Sequence, residues 1–221
     1  MTTLVQFKTN AVASLNIIMV KRMSSSKLFI TGCDQSTRWM LPWFTQNFKI
    51  YNPDSELKVY DFDTFAPDLA GWFKKPTAMI DASTQSHNVC WIDTDCHVLS
   101  NLDEIFSFVE PNKIAMVEDV PWSTRRGERW HNSGVVAFNR RPNILDAWAA
   151  AIKANPQVGD QEVLHSMVAG ALRRTIHITD LPREYNTLRL DLLDGTAPAN
   201  PKIMHWTGKK GKDEIRKLIN E

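Results

Sequence analysis

A short apolar run, Val89-Cys90-Trp91-Ile92, ends in Asp93-Thr94-Asp95 and is preceded by the polar stretch Gln85-Ser86-His87-Asn88. The run predicts a buried strand, with the two carboxylates at its C-terminal end, the place where open α/β sheets bind ligands. Carboxylates two residues apart repel and raise each other's pKa unless a cation or strong donors lie between them, so the expected resident is a hard divalent metal. A metal held by only two protein carboxylates keeps open positions, and diphosphate oxygens are suited to fill them. Asp93 and Asp95 fit equally as caps of the following turn, since a three-letter motif is common by chance.

The rest of the chain narrows the class. At 221 residues, 43% hydrophobic and 23% charged, it suits one globular domain whose core needs no disulfide or structural zinc. A formal net charge of +1 supplies no global field, which argues against a nucleic-acid partner. Cys33, Cys90 and Cys96 are odd in number and lack CxxC spacing, so they read as buried thiols in a reducing compartment and point to the cytoplasm. Residues 1–26 carry only Lys8, Lys21 and Arg22 as charges. Their longest apolar stretch, Leu15 to Val20, is too short for a membrane span and has its basic pair on the wrong side for a secretory signal. A loosely ordered N-terminal arm is the expectation there.

From Lys27 onward, strand and helix patterns alternate. Lys27 to Thr31 predicts a strand, followed by a turn at Gly32-Cys33-Asp34-Gln35 with Asp34 or Ser36 as helix cap. Trp39, Met40, Trp43, Phe44 and Phe48 form an aromatic helix stripe for core packing, and Pro42 places the helix start near Leu41. Further strands are expected over Leu57 to Phe62, Lys113 to Val117, Gly134 to Phe138 and Ile176 to Ile178. Helices are expected from Pro76, over Asn101 to Phe106, over Asn143 to Ala154 and over Asp160 to Val168. Such alternation indicates an α/β sandwich with its active face at the strand ends.

Several segments then fall into one order: the apolar strand with Asp93-Thr94-Asp95; Asn132-Ser133-Gly134 through Asn139; Gly159-Asp160-Gln161 through Leu164; Leu181 through Asn186; and Ile203-Met204-His205 through Lys209. Together they resemble the GT-A glycosyltransferases, most closely the family 8 type that includes glycogenin and bacterial galactosyltransferases. The resemblance covers about Lys27 to Lys212. It implies a single GT-A (Rossmann-like) domain over residues 27–221, an α/β/α sandwich with a mixed central sheet. The implied activity is metal-dependent transfer from a nucleotide sugar, foremost a UDP-sugar, with retention of anomeric configuration.

Carried over residue by residue, the resemblance makes Asp93, Asp95 and His205 the ligands of Mn²⁺, with Mg²⁺ as the alternative. A histidine beside carboxylate and phosphate oxygens suits such a borderline cation. It puts Asn132, Ser133 and Gly134 beneath the transferred sugar and Asp160 and Gln161 near the anomeric carbon. Thr31, Cys33 and Asp34 fall where nucleobase and ribose bind, Thr94 within the metal motif, and Lys75 where a basic residue faces the donor. Gly208 and Lys209, with Lys210 as alternative, would approach phosphate.

The pattern departs from the family after Gly208, where Lys209-Lys210-Gly211-Lys212 replaces Lys-Pro-Trp, and little chain remains for an acceptor-binding extension. The arginine-rich stretch Trp122 to His131 is then the expected acceptor-side loop, with the acceptor left open among glycan, protein and small molecule. Alternatives are a nucleotide-sugar-binding GT-A protein without turnover, and a nucleotidyltransferase, which would normally carry a glycine-rich basic loop where this chain has Thr31-Gly32-Cys33-Asp34. A haloacid-dehalogenase-type phosphatase also uses DxD, but His97 stands where that motif needs Thr or Val.

Overall fold

The computed structural model describes residues 27–220; the expected arm over residues 1–26 lies outside them. Strands β1 (Lys27–Cys33), β2 (Glu56–Asp61), β3 (Asn88–Ile92), β5 (Ile114–Glu118), β6 (His131–Asn139) and β7 (Ile178–Asp180) form a six-stranded sheet in the order β2-β1-β3-β6-β5-β7. The sheet is mixed: β1 runs parallel to β2 and β3, whereas β6 is antiparallel to both β3 and β5. Ile92 pairs with Val135, and the Asp93 N–H donates to the Gly134 carbonyl at 2.8 Å, so the carboxylate motif emerges beside the Asn132-Ser133-Gly134 segment.

Side chains alternate between two apolar layers, as the two-residue period of a strand requires. Leu28, Ile30, Val89, Trp91, Val136 and Phe138 face one layer, which packs on α2 (Lys75–Ser83), α4 (Asn143–Ala154) and α5 (Asp160–Met167). Phe29, Cys90, Ile92, Val135 and Ala137 face the other, which holds Phe44 and Phe48 of α1 (Leu41–Tyr51). Helix α1 starts at Leu41 with Pro42 in its first turn, where a missing N–H is harmless. Of the expected stripe, Met40, Phe44 and Phe48 are buried, while Trp39 lies under the Arg216 guanidinium.

A second sheet of three short strands, ordered β4-β9-β8, comprises β4 (Cys96–Val98), β8 (Thr187–Leu188) and β9 (Ile203–His205). None of these was visible as a periodic pattern. The strand expected over Ile176 to Ile178 is corrected: α6 (Ala171–His177) runs through His177, and only Ile178 pairs into the sheet, opposite Ile114. Ile176 is 52% exposed and has no core partner to draw it into a strand. The stretch expected as an acceptor loop overlaps α3 (Val120–Arg126), and its arginines are engaged, Arg125 with Asp194, Arg126 over the Trp122 ring, and Arg129 with Glu118 and Asp180. Two helices complete the chain, α7 (Arg189–Leu193) and α8 (Gly208–Asn220). Among the described residues, no helix is long and apolar enough to cross a membrane.

Candidate active site

The chain folds the carboxylate motif into a clamped turn. The Cys96 N–H closes back on the Asp93 carbonyl at 3.1 Å, and the Trp206 N–H donates to the Asp95 carbonyl at 2.9 Å. Because β9 runs antiparallel to β4 with His205 opposite Cys96, the imidazole arrives beside the carboxylates. Its Nε2 lies 3.1 Å from Asp95 Oδ1 and 3.9 Å from Asp93 Oδ2.

The protonation of His205 follows from the hydrogen-bond network. The Gly134 backbone N–H donates to Asn132 Oδ1 at 2.9 Å, so this atom is an oxygen, and the Asn186 group 2.9 Å from it must be the NH₂. Asn186 therefore turns its oxygen to His205 Nδ1, 3.0 Å away, and Nδ1 carries a proton. That leaves Nε2 as the nitrogen facing the carboxylates, an arrangement in which an outer partner can orient a histidine ligand. Burial works to lower the His205 pKa, but the Asp95 carboxylate overrules it and holds the imidazole above its usual range. Burial likewise raises the Asp93 carboxyl against the pull of Lys75, whereas His205 prevails over burial to hold Asp95 below the usual carboxylate range.

Asp95, Cys96 and His205 bring donor atoms within 4.8 Å of one another, a set able to hold a divalent metal. Cys96 is the weakest member. Burial and the adjacent Asp95 and Asp93 carboxylates push its thiol well above the ordinary range, so it stays protonated and suits a hard cation poorly. Asp93 is the better third donor, although Trp91 Nε1 at 2.6 Å and Lys75 Nζ at 3.0 Å presently occupy its Oδ1.

Lys75 lies deep in the site. It is 3% exposed, and its ammonium lies 3.0 Å from Asp93, 3.2 Å from Asp160 Oδ2, and 3.1 Å from the Ser133 carbonyl. Burial would lower its pKa, yet the Asp160 and Asp93 carboxylates hold it above the usual range. An ammonium so engaged joins the Asp93-Thr94-Asp95 turn to Ser133 and Asp160. Asp160 is fixed from behind, because Trp148 Nε1 on α4 donates to its carbonyl at 2.9 Å. Gln161 accepts the Ser133 N–H at 3.2 Å and reaches Asp119 at 3.4 Å.

These residues line an elongated cleft. One half, of about 450 Å³, is walled by Asn132, Ser133, Gly134, Asp160, Gln161, His205 and Gly208. The other, of about 120 Å³, is walled by Gly32, Asp34, Thr37, Phe62, Thr94 and Lys212, and the halves share Trp72, Lys75, Asp93 and Asp95. A Cβ on Gly134 would collide with the His205 ring, so only glycine permits this approach. Gly208 has φ +72°, a left-handed conformation that lets α8 begin directly at the cleft wall.

Two groups of expected nucleotide-side residues lie off the cleft walls. Thr31 is fully buried and Cys33 is 3% exposed, because the strand carries both residues beneath the surface, and the wall falls to Gly32 and Asp34. Lys209 and Lys210 are exposed on α8, and the lysine at the cleft is Lys212, one helical turn further on. Sequence reasoning also missed Asp119, Asn186, Trp91 and Trp72. Asn186 ended a segment already singled out, whereas Asp119 carried no signal beyond its place after a strand.

No protein-family model and no curated protein matches the sequence. Solved structures do match. A glycosyltransferase involved in glycosylating the major capsid of PBCV-1 superposes with TM-score 0.65 at 13% identity, over 89% of this chain and 100% of that one. The galactosyltransferase LgtC, in complex with donor and acceptor sugar analogues, superposes with TM-score 0.59 at 13% identity, over 87% and 95%. GlyE of Streptococcus pneumoniae TIGR4 gives 0.59 at 16%, over 84% of this chain and 55% of GlyE. The fold is therefore that of the GT-A glycosyltransferases: a single α/β, Rossmann-like domain with a mixed central sheet flanked by helices.

Proposed function

We propose that this chain is a family 8-type glycosyltransferase that takes a nucleotide sugar, foremost a UDP-sugar, and transfers the sugar with retention of configuration. The observation that carries this reading is the convergence of Asp93, Asp95 and the oriented Nε2 of His205 at the junction of two cleft halves. Together they would hold Mn²⁺, with Mg²⁺ as the alternative, and the donor set of one imidazole and two carboxylates fits either. Bound there, the metal supplies positive charge to the departing diphosphate. The protein's own residues do the remaining work. Lys212 adds a cation at the nucleotide half, and Asn132 and Ser133 offer polar groups to sugar hydroxyls. Gln161, with its carboxamide fixed by Ser133 and Asp119, steadies positive charge developing at the anomeric carbon. Lys75 keeps the Asp93 and Asp160 carboxylates together without repulsion. Three buried cysteines, all free, support a reducing, cytoplasmic setting.

Calorimetry with Mn²⁺ and UDP tests this assignment. In the parent, metal should raise UDP affinity by at least about tenfold, and Asp95→Asn should abolish that enhancement. An enhancement that survives in Asp95→Asn sinks the site.

A further inference from the structure

Trp72 is 59% exposed, an unusual position for so large an aromatic side chain at the mouth of a cleft. Trp72 lines both cleft halves. The backbone beneath it is pinned. Trp72 lies on a single 3-10 turn, Gly71–Lys74, whose far end is tied down by Lys74, buried and donating to the Phe62 carbonyl, and by the buried ion pairs of Lys75. Phe73 packs against the core beside it. Among the described residues, no hydrogen bond engages the Trp72 indole.

The composition of the two halves separates what this ring can do. The nucleotide half already has apolar surface from Met40, Phe62 and Trp91. The other half is lined mostly by polar side chains, with amides, carboxylates, the hydroxyls of Ser133 and Thr207, and an imidazole, and Trp72 is its one carbocyclic aromatic among the described residues. A pyranose presents both kinds of surface: hydroxyls at its edge and a patch of C–H groups on its face. Asn132, Ser133 and Gln161 suit the edge, and nothing but Trp72 suits the face.

We propose that Trp72 is the platform on which the C–H face of the transferred sugar stacks, making it a determinant of donor affinity that acts on the sugar and not on the nucleotide. This rests on the nucleotide-sugar reading above. The test compares UDP with UDP-glucose and UDP-galactose, each titrated by calorimetry in the presence of Mn²⁺ against the parent, Trp72→Ala and Trp72→Phe. In the parent, the sugar should add affinity over UDP alone. Trp72→Ala should cut UDP-sugar affinity by about tenfold while leaving UDP within about twofold, and Trp72→Phe should recover part of the loss, as expected for an aromatic contact. Because the side chain is exposed, both variants should melt with the parent. The platform is overturned if Trp72→Ala weakens UDP and UDP-sugars equally, if it weakens neither, or if the sugar adds nothing in the parent. A parent that binds no UDP with Mn²⁺ overturns the functional reading itself, an outcome separate from any behaviour of the Trp72 variants.

Discussion

His205 can serve a metal only if its Nε2 faces the carboxylates, and the residue that enforces this is Asn186. Its oxygen accepts from Nδ1 while its NH₂ is committed to Asn132, whose own NH₂ reaches Asp119 at 3.2 Å. One backbone N–H, that of Gly134, fixes the polarity of the whole series. Asn186→Ala should lower Mn²⁺ affinity by about ten- to hundredfold, the usual effect of removing an outer-shell partner. It should also cost about 1–3 kcal/mol of stability by leaving a buried donor unpaired. Free Mn²⁺ measured by electron paramagnetic resonance reads the first effect and urea unfolding the second. Asn186→Asp, which still accepts from Nδ1, should bind Mn²⁺ more tightly than the alanine variant. Equal Mn²⁺ affinity in the parent and Asn186→Ala would contradict the network.

At the scale of elements, helix α2 matters most, since its first residue is Lys75 and the platform turn leads into it. The helix is fastened to β2 by Asp81, which accepts from Lys58 Nζ and from the Tyr60 hydroxyl, each at 2.7 Å. The hydrogen bonds from Lys58 and Tyr60 hold the Asp81 carboxyl below its usual range. A depressed carboxylate contributes stability above its unfolded pKa of about 4, and loses it as pH falls through the folded value. The parent should therefore be more stable than Asp81→Asn at pH 7, by less than about 1 kcal/mol because the pair is solvent-screened. The gap should narrow steadily below about pH 4. Thermal melts of both proteins across this range decide it; a gap that widens in acid is the contrary result.

Across the whole molecule, one sheet separates two apolar layers, and the cysteines report on its opening. Cys90 and Cys96 are fully buried, and burial pushes both thiols upward, so neither offers a thiolate in the native state. Both belong to the layer packed on α1, between sheet and helix. A chromogenic aromatic disulfide should leave them unlabelled in the folded protein and modify them at a rate that rises with urea as global unfolding becomes accessible. Cys33, at the end of β1, should react first. Rapid labelling of Cys90 and Cys96 without denaturant would mean that the layers open separately.

What local pattern could determine, it did. Short apolar runs specified the strands through Lys27, Val89, Ile114 and Gly134, and Pro42 marked the start of α1, because residue type and proline geometry act within a few residues. The order of short polar motifs was likewise legible along the chain. Only the tertiary structure decided how they meet. His205 reaches Asp95 through two- and three-residue strands too short to show any period, and the pairing of β4 with β9 is set by contacts between residues about a hundred positions apart. Lys75 reads in sequence as a helix-start lysine facing solvent or donor, yet packing brings Asp93, Asp160 and Ser133 around it. Thr31 and Lys209 went the other way, one into the sheet and one out to solvent. Local periodicity sets which residues form each strand and helix; how far any side chain sits from a residue a hundred positions away is set only when the layers close.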